Sequence, residues 1–183
     1  MEVNRYLRQE RLAQIGAEGQ RRLARSRVLV VGCGALGSTV IDQLVRAGVG
    51  TLRIVDRDVV DLTNLHRQTL YDEADAHAHV VKVEAAARRA RQINAGVCVE
   101  PLAIDVDSGN VESLLDVDLV IDGTHTAQTR YLLNDACVKQ GRAWIFGAAL
   151  GVEGRTMLIV PAGPCLRCIW PVAPDPGELA TCD

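Results

Sequence analysis

The stretch from Arg27 to Gly37 reads RVLVVGCGALG, and it decides the fold. Its first five residues form a short, mainly β-branched apolar run, which is typical of a strand buried in a parallel sheet. Gly32, Gly34 and Gly37 follow with the spacing G-x-G-x-x-G, and residues 36–48 continue with helical spacing. Such glycines allow a tight turn in which backbone N–H groups approach a phosphate at the helix N-terminus. The stretch therefore predicts a βα unit with a phosphate-binding loop.

Further strands and helices alternate along the chain. The expected strands cover 51–55, 97–103, 119–121, 143–149 and 155–160, and the expected helices cover 80–93 and 127–140, after two short polar helices within 4–26. This alternation predicts an α/β chain with a Rossmann-like, doubly wound, mostly parallel sheet and helices on both faces. Five prolines after Val160 predict an irregular C-terminal loop. We therefore expect a nucleotide-binding domain over 1–160 and a Pro- and Cys-rich loop over 161–183.

Composition and charge argue against several classes of protein. The chain has 183 residues, enough for a full core, and 48% of them are hydrophobic. Its formal net charge of −3 argues against a nucleic-acid binder. No apolar run approaches the roughly 18 residues of a membrane span, and the charged N-terminus is unlike a signal peptide. Six scattered cysteines favour a reducing, cytoplasmic setting over a disulfide framework.

An aspartate stands at the end of the second expected strand. Asp56 lies 19 residues after Gly37, a spacing that suits an acceptor for a ribose hydroxyl. Taken alone, the glycine motif and Asp56 favour a nicotinamide-dependent dehydrogenase. The loop that follows argues against that class.

The loop at 56–68 reads DRDVVDLTNLHRQ and resembles the signature of the ubiquitin-activating-enzyme superfamily, in its bacterial ThiF/MoeB/HesA branch. Other motifs similar to those of the family occur in order: RYLRQ at 5–9, VKV at 81–83, TRYLLNDA at 129–136, GAA at 147–149 and CLRCIWP at 165–171. The last of these motifs is most similar to the ThiF subtype. Because the matches cover essentially the whole chain, the sequence is identified as a member of this family.

The resemblance implies a reaction. Members of the family are adenylyltransferases that use ATP to activate the C-terminal glycine of a ubiquitin-like sulfur-carrier protein, in thiamine or molybdopterin biosynthesis. The carrier's carboxylate attacks the α-phosphate, which gives an acyl-adenylate and pyrophosphate. A carboxylate is already ionised near pH 7, so catalysis depends on positioning and on neutralising charge. ATP and Mg²⁺ are therefore the implied cofactors, and the carrier is the implied partner.

The resemblance also implies roles for single residues. Arg67 and Lys82 contact the phosphates, and Asn64 helps to orient them. Arg8 reaches the phosphates of a neighbouring subunit, which implies a homodimer. Asp58 fits a simple turn residue as well as a ligand contact. The residues expected to bind ATP are Gly32, Gly34, Ala35, Gly37, Asp56, Asp58, Asn64, Arg67, Gln68, Lys82 and Asp122.

Three positions depart from the family pattern. Residues 122–126 read DGTHT where the family has D-x-T-D-N, so His125 occupies the position of the magnesium ligand, although imidazole is a poor ligand for this hard ion. Cys165 and Cys168 have the spacing of half a tetrahedral zinc site. Cys182 aligns with the family cysteine whose thiolate attacks the adenylate, and it fits an exposed terminal thiol equally well.

These departures keep an alternative open. The leading hypothesis is an active adenylyltransferase. The alternative is a catalytically impaired relative that acts as a nucleotide- or carrier-binding dimer, as the change at His125 and the early end of the sequence suggest. The single Cys-x-x-Cys pair indicates either an incomplete zinc site or a fragment of a longer chain.

Overall fold

The structure is a computed structural model that describes residues 4–173. Six strands form one sheet in the order β3-β2-β1-β4-β5-β6. The strands are β1 Arg27–Val31, β2 Thr51–Val55, β3 Cys98–Leu102, β4 Leu119–Asp122, β5 Ala143–Leu150 and β6 Glu153–Ile159. The first five run parallel and β6 is antiparallel to β5, which confirms the expected mostly parallel α/β sheet.

Eight α-helices and a 3-10 turn at Leu62–Asn64 accompany the strands in this part of the chain. They are α1 Leu7–Glu10, α2 Gly16–Leu23, α3 Ala35–Ala47, α4 Glu73–His77, α5 Lys82–Ile93, α6 Val111–Leu114, α7 Ala127–Lys139 and α8 Leu166–Ile169. The two expected N-terminal helices correspond to α1 and α2. None of the helices within residues 4–173 is long and apolar enough to span a bilayer.

Two hydrophobic cores lie on opposite faces of the sheet. Val28 and Val30 of β1 face one core, together with apolar residues of α3 and α5. Leu29 and Val31 face the other core, together with α6 and α7. A strand that is covered on both faces must be apolar at every position, because its side chains alternate between the faces. This explains the unbroken apolar run in β1.

The last strand leaves part of the sheet uncovered. A tight turn around Gly151, which has φ of +56°, joins β5 to β6 without a crossover helix. The side of β5 and β6 next to α3 is therefore covered by no helix of the described residues. Ile145 on that side is partly buried, and Leu158, its partner across the pair, is 60% exposed.

One expected boundary is corrected. The helix expected from residue 80 begins at Lys82, because Val80 accepts a backbone hydrogen bond from Val60 and Val81 bridges to Val59. The segment after Val160 has little regular structure, as expected. Within residues 161–173 its one helix is the four-residue α8, which the prolines flank.

Glycines bring the loop after β1, the start of α3 and the loop after β4 into backbone contact at the carboxyl edge of the sheet. At Gly37, an ideal Cβ would lie 1.8 Å from the carbonyl oxygen of Gly32. At Gly32, which has φ of +92°, a Cβ would lie 2.7 Å from the carbonyl oxygen of Gly123. No side chain fits between these backbones, so the spacing of the motif fixes how closely α3 and the loop after β4 approach β1.

This packing predicts that Gly37→Ala is strongly destabilising. The added methyl group must displace the backbone at Gly32, so we expect a loss of roughly 3 kcal/mol or more in the free energy of unfolding. Gly34→Ala is the matched control, because a Cβ at Gly34 would have no neighbour within 4 Å. Urea denaturation of both variants tests this, and equal midpoints for the two would contradict the packing argument.

Candidate active site

The candidate site lies at the carboxyl ends of β1 and β4. The strand order reverses there, because β1 lies between β2 and β4, and such a switch point opens a crevice above the sheet. Four segments meet at this edge: the glycine loop 32–37, the loop 56–68, the start of α5 and the loop 122–126. All residues expected from the sequence to bind ATP are on these segments.

Asp56 holds the glycine loop. Its Oδ2 accepts a 2.6 Å hydrogen bond from the backbone N–H of Cys33, and its Oδ1 accepts a 2.8 Å bond from the N–H of Asp58. Each carboxylate oxygen therefore serves a different backbone donor. The carboxylate is partly exposed, and its oxygens keep lone pairs for a further donor such as a ribose hydroxyl.

Lys82 is a buried cation with one carboxylate partner. The residue is 7% exposed, and its Nζ lies 3.0 Å from Oδ2 of Asp58. The backbone N–H of Lys82 also donates to the carbonyl of Asp58 at 2.8 Å. Asp58 is therefore more than a turn residue, since it fixes both the backbone and the ammonium group at the start of α5.

The 3-10 turn positions its own last residue and two polar residues that follow it. Asn64 closes a capping box with Asp61 and is partly buried. Arg67 is exposed, and its guanidinium donates to the carbonyl of Thr63 at 2.8 Å. Gln68 is 3% exposed, and its Oε1 has no hydrogen-bond partner. Because a buried acceptor without a donor is costly, this amide is suited to a bound ligand.

Asp122 is buried beneath the loop that follows β4. Its Oδ1 accepts hydrogen bonds from the N–H and the hydroxyl of Thr124, at 2.8 and 2.7 Å. Its Oδ2 lies 3.3 Å from Nε of Arg130 without hydrogen-bond alignment. Burial raises the pKa of the Asp122 carboxyl, against the effect of these partners. The loop that follows β4 thus separates the carboxylate of Asp122 from solvent.

His125 lies on the surface of the same loop. The residue is exposed, and within residues 4–173 its imidazole takes part in no hydrogen bond or ion pair. Among these residues no group of three or more His, Cys, Asp or Glu side chains is placed to hold a metal ion. The donors present at this edge therefore do not fit a magnesium ion that is held by protein ligands alone.

Cys165 and Cys168 lie together at α8, away from the glycine loop. Their sulfurs are 3.9 Å apart, close to the roughly 3.8 Å edge of a tetrahedron with Zn–S bonds of about 2.3 Å. Burial opposes ionisation of Cys165, but hydrogen bonds from the backbone of Arg167 and from Cys168 outweigh it and lower the pKa of the thiol. Cys182 lies outside the described residues.

The N-terminal motif docks α1 at the opposite edge of the sheet. Arg5 donates to the carbonyl of Ile93 at the end of α5, and Gln9 donates to the carbonyl of Ala47 at the end of α3. The hydroxyl of Tyr6 accepts a 2.8 Å bond from Asn94. Arg8 is exposed, and in the described part of the chain its side chain has no partner.

Two residues near the site were missed by the sequence reasoning. Tyr71 is buried, and its hydroxyl donates to the carbonyl of Cys33 at 2.8 Å. Arg130 donates to the carbonyl of Thr124 at 2.7 Å and lies 5.4 Å from the ring centre of Phe146. Arg130 stands in a motif of the resemblance, which could have drawn attention to it. No sequence signal marks the contact of Tyr71.

Comparisons with known proteins show what the chain is similar to. The model of the ThiF family matches residues 6–183. The sulfur carrier protein ThiS adenylyltransferase of Bacillus subtilis is 44% identical over 183 residues, which make up 99% of this chain and 54% of that protein. The SAMP-activating enzyme E1 of Haloferax volcanii is 43% identical over 182 residues, 99% of this chain and 67% of the relative.

A solved structure shows the same fold. The crystal structure of E. coli MccB with ATP matches with a TM-score of 0.82 at 25% identity, over 91% of this chain and 52% of that chain. The present chain thus spans about half the length of MccB and of the Bacillus relative.

The two hydrogen bonds at Asp56 predict that Asp56→Asn loosens the glycine loop. An amide has a single acceptor oxygen, so one of the two backbone donors loses its partner, and we expect a loss of about 1.5–3 kcal/mol in the free energy of unfolding. Asp61→Asn is the control, because one oxygen of Asp61 accepts both bonds from Thr63. Equal denaturation midpoints for the two variants would show that the carboxylate of Asp56 does not hold the loop.

Proposed function

Since the chain belongs to the ThiF family, we propose that it is an ATP-dependent adenylyltransferase that activates the C-terminal glycine of a ubiquitin-like sulfur-carrier protein, for thiamine or molybdopterin biosynthesis. One observation carries the proposal: a glycine loop, Asp56 and the buried Lys82 are arranged at one edge of the sheet in a chain 44% identical to a ThiS adenylyltransferase. The chain spans about half of that relative, 54% of its length.

The proposed reaction needs no general base. The ionised C-terminal carboxylate of the carrier forms a bond to the α-phosphorus of ATP, the bond from that phosphorus to the bridging oxygen breaks, and pyrophosphate leaves with the electron pair. Negative charge accumulates on the departing oxygen and around the phosphorus. Cations held in place before the reaction stabilise this charge without reorganising.

Lys82 and Arg67 are the cations of this chain that suit the task. Lys82 is buried and held by Asp58, so its ammonium group keeps its place when a nucleotide binds. Arg67 is exposed and held through a backbone carbonyl, and none of the ion pairs among residues 4–173 involves it. Its guanidinium is therefore free to make charge-assisted bonds to phosphate oxygens.

The remaining ATP-binding residues shape the site. Gln68 has a buried amide oxygen without a donor, which is suited to a ribose hydroxyl or an amino group of the base. Asp122 supports Thr124 and contributes through the loop, because its side chain is inaccessible. Asn64 caps the turn that carries Arg67 and so orients it.

Magnesium enters this proposal only as a part of the substrate, MgATP. Mg²⁺ in nucleotide sites keeps water ligands and is bound largely by the phosphates of the substrate. The alternative of a catalytically impaired relative depends on the departures from the family pattern, His125 above all. The names of the relatives, which describe activating enzymes and adenylyltransferases, do not favour it.

Zinc would be held by Cys165 and Cys168, whose sulfur separation fits one edge of a tetrahedral site. Such a site is structural and supplies no step of the reaction. The side chain of Asn134 donates towards the sulfur of Cys165 at 3.8 Å, and it accepts from the N–H of Leu166 at 2.9 Å. A second pair of ligands would come from outside residues 4–173.

A homodimer is proposed because Arg8 lies far from the glycine loop of its own chain. The neighbouring Gln9 is bonded to the C-terminal end of α3, whereas the glycine loop is at the N-terminal end. A helix of 13 residues separates these ends by about 20 Å. A two-fold axis perpendicular to α3 would bring Arg8 of each copy towards the glycine loop of the other.

The uncovered face beside α3 supports such a dimer. A mainly apolar cleft of about 330 Å³ is lined by Leu36 and Val40 of α3 and by Ile121 and Ile145 of the sheet, and it reaches Asp122. Leu158 extends this apolar face and Leu7 adds an exposed apolar residue beside Arg8. A second copy placed by the same axis would cover these groups.

The function predicts carrier-dependent exchange of pyrophosphate into ATP. We expect exchange that requires a carrier with an intact C-terminal glycine, and we expect Arg67→Ala to lower kcat/KM about 10- to 100-fold, since a charge-assisted bond contributes roughly 1.5–3 kcal/mol. Arg89→Ala, an exposed arginine on α5, serves as the control and should match the unaltered protein. If the unaltered protein binds ATP and carrier but catalyses no exchange, the proposed function is wrong and the impaired relative is correct.

The dimer predicts complementation between two inactive variants. Each proposed site takes Lys82 from one chain and Arg8 from the other, so a mixed dimer of Arg8→Ala and Lys82→Ala retains one intact site. Random mixing should restore about one quarter of the exchange activity. Mixing Arg67→Ala with Lys82→Ala should restore none, because both residues belong to the same chain's site. Absence of any gain in the first mixture would exclude Arg8 from the neighbouring site.

A further inference from the structure

Side chains hold the backbone of Cys33 from both directions. Its N–H donates to Asp56 at 2.6 Å, and its carbonyl oxygen accepts from the hydroxyl of Tyr71 at 2.8 Å. Cys33 is the residue between the first two glycines of the loop. The loop is therefore fixed at one peptide group on each side of this residue.

The hydroxyl of Tyr71 is the hydrogen-bond donor in this contact. The residue is buried beneath the loop within the core formed by β1, α3 and α5. Burial raises the pKa of its hydroxyl, and the nearby groups of Cys33, Asp56 and Asp75 raise it further. The phenol therefore keeps its proton at any pH near neutrality, and the carbonyl of Cys33 is the acceptor of its bond.

This bond sets the direction of the next N–H. In a trans peptide the carbonyl of one residue and the N–H of the next point in opposite directions. Because Tyr71 draws the carbonyl of Cys33 into the core, the N–H of Gly34 points out of it. Within residues 4–173 that N–H has no hydrogen-bond acceptor, and the space beside the α-carbon of Gly34 is open.

We infer that Tyr71 is a positioning residue for the nucleotide: through the peptide between Cys33 and Gly34, it aims the Gly34 N–H at a phosphate oxygen. The inference rests on the proposed function, because it assumes a nucleotide above the glycine loop. It extends that function by assigning phosphate recognition to a buried side chain that touches no ligand. Asp56 fixes the preceding peptide, so the two residues together preset the loop.

Tyr71→Phe tests the inference, since it removes one hydroxyl and keeps the ring. Tyr131→Phe is the matched control, because the hydroxyl of Tyr131 also bonds to backbone carbonyls, those of Trp170 and Val172, away from the loop. Calorimetry should measure the Kd of ATP and of adenosine for both variants. We expect Tyr71→Phe to weaken ATP binding about three- to tenfold and to leave adenosine binding unchanged, since adenosine has no phosphate. Tyr131→Phe should change neither.

Kinetics should show the same selectivity. In pyrophosphate exchange, the KM for ATP should rise by the same factor in Tyr71→Phe, with kcat within about twofold of the unaltered protein. Unchanged ATP affinity in a folded Tyr71→Phe would overturn the inference alone. An equal loss for ATP and adenosine would also overturn it, because it would show general damage to the site. Failure of the unaltered protein to bind ATP would overturn the proposed function as well.

A second variant removes the proposed donor directly. Gly34 has φ of −72°, which proline adopts, and a Cβ there meets no atom within 4 Å. Gly34→Pro deletes the N–H and leaves Tyr71 in place. If Tyr71→Phe does not fold, Gly34→Pro must show the loss for ATP without a loss for adenosine. Unchanged ATP affinity in this variant would refute the role of the Gly34 N–H.

Discussion

The close approach of backbones at Gly32, Gly37 and Gly123 is the constraint on which the site depends. The loop after β1 and the loop after β4 meet where the strand order reverses, and they meet without side chains between them. Any larger residue would separate α3 from β1 and widen the crevice. The distance between these loops is therefore set by covalent geometry, and the polar residues of the site are arranged around it.

Polar contacts then fix the surroundings of this centre. Asp56 connects the glycine loop to the end of β2, and Asp58 connects the end of β2 to Lys82 at the start of α5. These bonds place one carboxylate and one buried cation on the same side of the crevice. A site ordered before its ligand arrives loses little entropy on binding, which suits a reaction that depends on positioning and on charge.

The two edges of the sheet have separate roles in this picture. The carboxyl edge carries the proposed nucleotide site, while Tyr6 and Gln9 anchor α1 at the other edge, where Arg8 is left without a partner among the described residues. Contacts within the chain thus account for three residues of the N-terminal motif, Arg5, Tyr6 and Gln9. For Arg8, between Tyr6 and Gln9, the proposed second copy of the chain would supply the contact.

The sequence by itself determined the order of the strands and of the longer helices, the glycine loop and the family. These follow from periods and spacings along the chain: the apolar run before Gly32, the 19 residues from Gly37 to Asp56, and the motif at 56–68. Only the tertiary structure decided that β6 returns antiparallel, that Asp122 is buried behind Thr124, that Asp58 pairs with Lys82 and that Tyr71 supports Cys33. Each of these depends on which side chains the fold brings together from separate segments. A one-dimensional pattern records a residue's neighbours in the chain, whereas burial and hydrogen bonding depend on its neighbours in space.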